Sequence, residues 1–231
     1  MVVNLTDGIT MPPMRIGVLG ATGPAGSSLS ARLASVGFDV VIGSRSKYKA
    51  MEIRDGLLER WPDRGLAIEA GDNHDAAEAD LVVVATPWIA AGSTAESVAK
   101  PLAGKIVISM ANALAKVGHE FQPLVPPRGS VAASVQAAVP RSKVAAAFHH
   151  VPAKELGDLD HPIESDVLVC SYHKEATETT LEIVNKIPDL RGLDSGELSN
   201  AAPIEAFAAV LLQVNVRYKT RVALRFTGIP E

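Results

Sequence analysis

Residues 15–26 read Arg-Ile-Gly-Val-Leu followed by Gly-Ala-Thr-Gly-Pro-Ala-Gly, and the chain then continues into an Ala/Ser/Leu-rich amphipathic stretch. An apolar run that enters a glycine-rich turn and leaves it as a helix can be built in few ways. Glycines allow the chain to reverse tightly and a ligand to approach the backbone. The unpaired N–H groups at the start of the helix, together with its dipole, favour a phosphate. Pro24 fits the first helical turn, where an N–H is dispensable, and Thr22 adds a hydroxyl donor. Gly20, Thr22, Gly23, Pro24, Ala25 and Gly26 are therefore the expected pyrophosphate turn of a dinucleotide.

The rest of the chain supports that context. Short β-branched runs alternate with longer amphipathic stretches, which is the pattern of βαβ units. Strands are predicted over residues 15–20, 39–43, 66–70, 81–85, 105–109 and 143–147, and helices over 25–36, 47–60, 94–99 and 130–138. Runs such as Leu81-Val82-Val83-Val84-Ala85 are apolar without alternation, as strands covered on both faces are. Gly37 is placed to close the first helix. After His149-His150-Val151-Pro152 comes a polar loop, residues 154–165, that marks either a boundary or a lid. Beyond it, a strand over 166–170, a helix over 174–186, a short strand near 190–193 and a long helix over 199–221 are expected. The predicted fold is α/β, a Rossmann doubly wound parallel sheet with a small C-terminal lobe ending in a long helix. The expected division is a flexible tail over 1–13, an NADP-binding domain over 14–153 and the lobe over 154–231.

Composition removes several function classes. Apolar residues make up 47% of the 231 and charged residues 21%, so a substantial core can be buried. A formal charge of −4 argues against a general nucleic-acid binder. The one cysteine, Cys170, sits in an apolar run and is expected to be buried and inert. Residues 1–13 lack the character of a signal peptide, and no segment has the length and apolarity of a membrane span, so a cytoplasmic protein is expected.

Other residues belong at the carboxyl edge of such a sheet, where ligands of open α/β folds bind. After the second strand stand Ser44 and Arg45, with Lys49 one helical turn on, at the place where NAD-specific proteins carry an acidic residue. A planar guanidinium and a mobile ammonium suit a 2′-phosphate, so NADP(H) is the expected cofactor. Ala85, Thr86 and Pro87 are expected to border the nicotinamide ribose, with Trp88 either stacking on a ring or packing into the core. Asn112 lies at the same edge, as a ring contact or as part of a plain loop. His149 follows the sixth strand and is the candidate to orient an acceptor or steady a developing charge; a loop hydrogen bond is the other reading. Two adjacent histidines in an extended chain cannot both face one site. No metal is assigned to the acidic loop. No nucleophile elbow, Walker loop or Cys-His pair appears, whereas hydride transfer needs none of these, because the cofactor carries the chemistry.

Taken together, Gly-x-Thr-Gly-x-x-Gly at 20–26, Gly43-Ser44-Arg45 with Lys49, Pro87-Trp88, His149-His150-Val151-Pro152-Ala153 and Leu198-Ser199-Asn200 resemble the NADPH-dependent reductases of the 8-hydroxy-5-deazaflavin coenzyme F420, from Arg15 onward. The resemblance implies an oxidoreductase, commonly a homodimer, that passes a hydride directly between NADP(H) and coenzyme F420. It further implies that Asn112, His149 and Ala153 border the deazaflavin. The rivals are an NADPH-dependent reductase of a flavin, ferric or small carbonyl acceptor, and a non-catalytic NADP(H) sensor. The basic stretch of Arg217, Lys219, Arg221 and Arg225 either receives the anionic tail of the deazaflavin or is a solvated helix end.

Overall fold

The computed structural model describes residues 14–229, so the tail expected over 1–13 lies outside the described residues. Five parallel crossovers build the main part of the sheet. Strands β1 (Arg15–Leu19), β2 (Asp39–Ser44), β3 (Ile68–Asp72), β4 (Leu81–Val84), β5 (Ile106–Ser109) and β8 (Lys143–Ala146) stand in the order β3-β2-β1-β4-β5-β8. That order reverses direction between β1 and β4, the switch point of a doubly wound sheet. The sheet continues past β8 through β9 (Ser165–Ser171), which runs antiparallel to it, and β10 (Leu190–Asp194), parallel to β9. Residues 165–194 therefore extend the same sheet by two strands.

The apolar runs read in the sequence feed two cores at once. Ile16, Val18, Leu81, Val83, Ile106, Ile108, Val167 and Val169 face one side of the sheet. Leu19, Val82, Val84, Val107, Val144, Ala146 and Cys170 face the other. This is the pleat alternation of a strand whose two faces are both covered. The first side is covered by α1 (Pro24–Ser35), α2 (Lys47–Arg60) and α8 (Lys174–Asn185); Leu29, Leu33, Ala50, Ile183 and Val184 are among the residues buried there. The second is covered by α3 (Asn73–Ala77), α4 (Trp88–Ser97), α5 (Ala99–Leu102), α6 (Val131–Ala138) and the start of α9 (Ala201–Tyr218). Cys170 is buried, and burial pushes its thiol up to about 12, so it stays protonated as expected.

Gly37 ends α1 as the sequence predicts. Its φ is +90°, its N–H donates to Ala34 O at 3.1 Å, and the Phe38 N–H donates to Leu33 O at 3.2 Å, a Schellman closure. Other elements depart from expectation. The helix expected over 94–99 begins at Trp88 and breaks before Ala99. The long C-terminal helix opens with a 3-10 turn, Leu198–Asn200, and stops at Tyr218, because Lys219 adopts a left-handed φ of 51°. α3 was not foreseen, although Asp72 and Asp75 form a full capping box around its first turn. A hairpin of β6 (Leu114–Val117) and β7 (Glu120–Pro123), turned on Gly118 at φ +61°, replaces what reads as irregular chain. α9 lies along β7, where Gln213 Oε1 accepts from Phe121 N at 3.2 Å. Farther up α9, the buried Glu205 carboxylate accepts from Val131 N (2.8 Å) and Ala132 N (3.0 Å) at the start of α6.

Candidate functional site

The turn after β1 is shaped by close approach. Gly20 has φ +71°, and a Cβ there would lie 2.3 Å from Thr86 Cγ2, so only glycine joins β1 to the turn while Thr86 closes over it. At Gly26 a Cβ would meet Ala21 Cα at 2.8 Å and Ala85 Cβ at 3.0 Å; its absence seats α1 directly on the sheet. α1 starts at Pro24 with Gly23 as N-cap, and no side chain caps it. The N–H groups of Ala25 and Gly26 belong to the first helical turn, which has no intrahelical acceptor, and they are available to an anion.

The second part of the site is the end of β2. Ser44 is buried, and its Oγ accepts from Ser46 N at 3.2 Å; Ser46 in turn caps α2 by accepting from Lys49 N at 3.4 Å. These two hydroxyls fix the chain between Ser44 and Lys49. Lys47 pairs with Asp75 at 3.3 Å, across the α3 capping box. Arg45 and Lys49 are exposed and have no ion pair among the described residues.

One open cavity of about 1410 Å³ joins these pieces. It is lined by Gly20, Thr22, Gly23, Pro24 and Ala25 of the turn, by Ser44, Arg45 and Lys49, and by Ala85, Thr86 and Pro87 after β4. Sequence reasoning missed two parts of the wall. Asn73, the first residue of α3, lines the cavity and accepts from Gly20 N through Oδ1 at 3.4 Å. Ile89, Ala90, Ser93, Thr94 and Ser97 give one face of α4 to the opposite side. The signal for α4 was its i, i+4 spacing of small polar residues; for Asn73 it was the Asp-x-x-Asp capping pattern around it. Trp88 opens α4 and packs against the second core.

Gly26, Asn112, His149 and Ala153 are not among the residues lining this cavity. Gly26 works behind the turn. Asn112 Nδ2 donates to His149 O at 2.6 Å, while Asn112 Oδ1 is buried with no partner among the described residues. The His149 ring is buried and neither nitrogen has a hydrogen-bond partner there. Burial, and next the neighbouring His150, lower it to about 3, so the imidazole is neutral at physiological pH. His150 is turned away, with Nε2 bonded to Asp166 O at 2.8 Å, and burial lowers it as well. The extended chain expected here is not found: His149 and His150 are the central residues of a turn in which Val151 N–H donates to Phe148 O at 3.3 Å, with Phe148 at φ +64°. Ala153 opens α7 (Ala153–Leu156). Thr86 Oγ1 and Ser109 Oγ, at the ends of β4 and β5, are also buried without partners among the described residues.

The basic stretch does not converge. Arg217 pairs with Glu120 at 3.3 Å, Arg221 with Glu155 at 2.5 Å and Arg225 with the buried Asp166 at 3.4 Å. Asp166 also takes Arg191 at 2.8 Å; burial opposes its charge, but these guanidiniums and the Phe226 N–H hold its carboxyl below the usual range.

Known proteins resemble this chain in sequence and fold. The profile of a family described as "NADP oxidoreductase coenzyme F420-dependent" matches residues 15–113, the part that carries most of the cavity. An F420-dependent NADP reductase of Methanocaldococcus jannaschii is 37% identical over 94% of this chain and 99% of its own. One of Methanothermobacter marburgensis is 32% identical over 94% and 100%. Among solved structures, a candidate F420-dependent NADP reductase from Arthrobacter sp. FB24 shares the fold, with a TM-score of 0.79 at 24% identity over 93% of this chain and 99% of that one. Matched over 94% of its length at 32–37% identity, the chain belongs to the family of F420-dependent NADP reductases.

Proposed function

We propose that this chain is an oxidoreductase that transfers a hydride directly between NADP(H) and the deazaflavin coenzyme F420. The observation that carries the reading is the single cavity in which the phosphate turn, Arg45 and Lys49, which have no ion pair among the described residues, and the 85–87 edge meet. Its size and order suit a dinucleotide laid across the switch point. The named activity of the archaeal relatives supplies the acceptor.

The residues present fit that cofactor. The crowded Gly20 and the open first turn of α1 would admit and hold the pyrophosphate through Thr22, Gly23, Pro24, Ala25 and Gly26. Ser44, Arg45 and Lys49 would hold the 2′-phosphate, the guanidinium by its fork and the ammonium as a point charge. Ala85, Thr86 and Pro87 would border the nicotinamide ribose, and Asn112, His149 and Ala153 the deazaflavin. When bound, the two coenzymes supply the hydride donor and acceptor carbons. The chain's own task is to hold the rings at contact distance and exclude water. His149 serves as a neutral hydrogen-bond partner that orients the acceptor, because an imidazole lowered to about 3 is not a proton reservoir at neutral pH.

In this reading residues 14–153 form the NADP-binding part, and residues 154–231 complete the acceptor cleft. Phe207, Val210, Val216 and Tyr218 expose apolar surface along α9, which supports a homodimer. The negative charge speaks against a nucleic-acid partner. Among the described residues no helix is long and apolar enough to cross a membrane; a cytoplasmic location completes the proposal. Anaerobic absorbance tests the function: NADPH should bleach the visible band of oxidised F420 rapidly and NADH slowly. Bound NADPH without bleaching would refute the acceptor.

A further inference from the structure

The segment that leaves β8 passes His149 and Ala153, forms α7 and returns to β9 through residues 157–164. α7 has four residues, far below the length at which a helix holds its own shape. One side chain of α1 gathers its end. Arg32 is only 3% exposed; its Nε donates to Leu156 O at 3.1 Å, and its Nη2 to Glu155 O at 2.9 Å, to His161 O at 3.2 Å and to Asp158 O. Four carbonyls from one loop thus converge on one guanidinium, whose planar donors no other side chain reproduces. Burial disfavours the Arg32 charge, the Asp158 carboxylate supports it, and Arg64 opposes it. One turn earlier on the same face of α1, Ser28 touches Gly157 so closely that a Cβ there would lie 2.6 Å from Ser28 Oγ. The polar loop is therefore seated on α1.

We propose that Arg32 is a positioning residue that sets the acceptor-side segment, residues 149–153, against the NADP-binding half. The inference rests on the function proposed above. α1 begins at the phosphate turn, where Gly26 fixes it on Ala21 and Ala85, and two turns later Arg32 holds the end of α7. One rigid helix thereby references both halves of the site. Arg32 touches neither coenzyme in this arrangement; it acts through α7, whose first residue is Ala153.

Two variants test this. Arg32→Met keeps the stem and removes the donors; Arg32→Lys keeps the charge with a single donor head. In Arg32→Met the KM for F420 should rise roughly tenfold or more, as small misplacements of a positioned ring do. The Kd for NADPH should stay within about twofold, since that site is held separately. Amide hydrogen exchange, measured without any acceptor, should speed up over residues 153–161 and not over 20–26, and Arg32→Lys should recover part of both effects. Unchanged exchange and KM would overturn the proposal, as would a parallel loss of NADPH and F420 binding with exchange rising along all of α1. If Arg32→Met does not fold, Gly157→Ala decides. It pushes the loop off Ser28 with Arg32 intact and should raise the KM for F420, and adding Ser28→Ala should restore it; no rise, or no restoration, overturns the proposal. Failure of the parent enzyme to bleach F420 would discard the acceptor reading alone, because the exchange data stand without it.

Discussion

Arg45→Ala separates the proposed 2′-phosphate contact from every other part of the cavity. The side chain is exposed, lines the cavity and has no ion pair among the described residues, so its removal breaks no ion pair and strands no opposite charge among them. A hydrogen bond to a charged group contributes about 1.5–3 kcal/mol, and an exposed one belongs at the lower end, so about 1.5–2 kcal/mol is at stake. At about 1.4 kcal/mol per decade this is roughly a 10- to 30-fold weaker Kd for NADPH. NADH lacks the phosphate and should bind the variant as it binds the parent. Lys49 keeps part of the attraction, and because both cations address one phosphate, the loss in Arg45→Ala/Lys49→Ala should not equal the sum of the single losses. Fluorescence titration of both dinucleotides at two salt concentrations measures this, and the parent's preference for NADPH should shrink at the higher salt. Equal loss for NADPH and NADH would refute the reasoning, since it would place Arg45 on a part common to both.

Gly20→Ala combines a left-handed φ with a contact of 2.3 Å, at about 1–2 kcal/mol for the backbone and 1–3 for the crowding; a lower Tm with weakened NADPH binding is expected, and an unchanged Tm would contradict the close approach of Thr86. His149, lowered to about 3, should show no shift of its imidazole C2 proton by NMR between about pH 5 and 8; a midpoint in that window would contradict its burial. Glu205 is pushed by burial from 4.5 to about 7, so its contribution to stability is fully present below 4.5 and lost as pH rises to 7. The difference of 2.5 corresponds to roughly 3 kcal/mol, and subtracting the urea-unfolding profile of Glu205→Gln from that of the parent should reveal this slope; parallel profiles would refute it.

The residues that line the cavity were more legible in the sequence than the surroundings of Asn112, His149 and Ala153, for physical reasons. The phosphate turn, Ser44, Arg45 and Lys49 are set by local chain geometry: a glycine that must turn, a helix that must start, a strand that must end. Such features are written in neighbouring residues, and all of them but Gly26, which works behind the turn, line the cavity. The α4 wall was half visible, because its first turn begins on Trp88, whose bulk drew the reading toward packing. The hairpin of β6 and β7 was not legible, since Leu-Ala-Lys-Val and Glu-Phe-Gln-Pro have little alternation of their own and are stabilised by α9, some ninety positions away in the case of Gln213 and Phe121. Arg32 was passed over for the same reason. On a helical pattern it reads as a solvated charge, and only its reach of more than 120 residues to the carbonyls of 155–161 makes it structural.

The carboxyl edge of the sheet has a physical signature of another kind. Thr86 Oγ1, Ser109 Oγ, Asn112 Oδ1 and both His149 nitrogens are buried atoms without partners among the described residues, and all lie at or just after the carboxyl ends of β4, β5 and β8. Leaving such a group unsatisfied costs about 1–3 kcal/mol, and a core of that size more often satisfies them or replaces them with apolar side chains. Donors and acceptors gathered at one sheet edge, beside a cavity already lined for a dinucleotide, match what a pair of amide-bearing heterocycles would demand. The histidine cannot meet that demand as an acid, because the burial that orphans it also keeps it neutral. Hydride uptake is completed by a proton whether the acceptor is a carbonyl or a deazaflavin ring, and a His149 lowered to about 3 is no imidazolium donor for either, so in the proposed reading the imidazole contributes its place and its hydrogen bond while the proton comes from elsewhere.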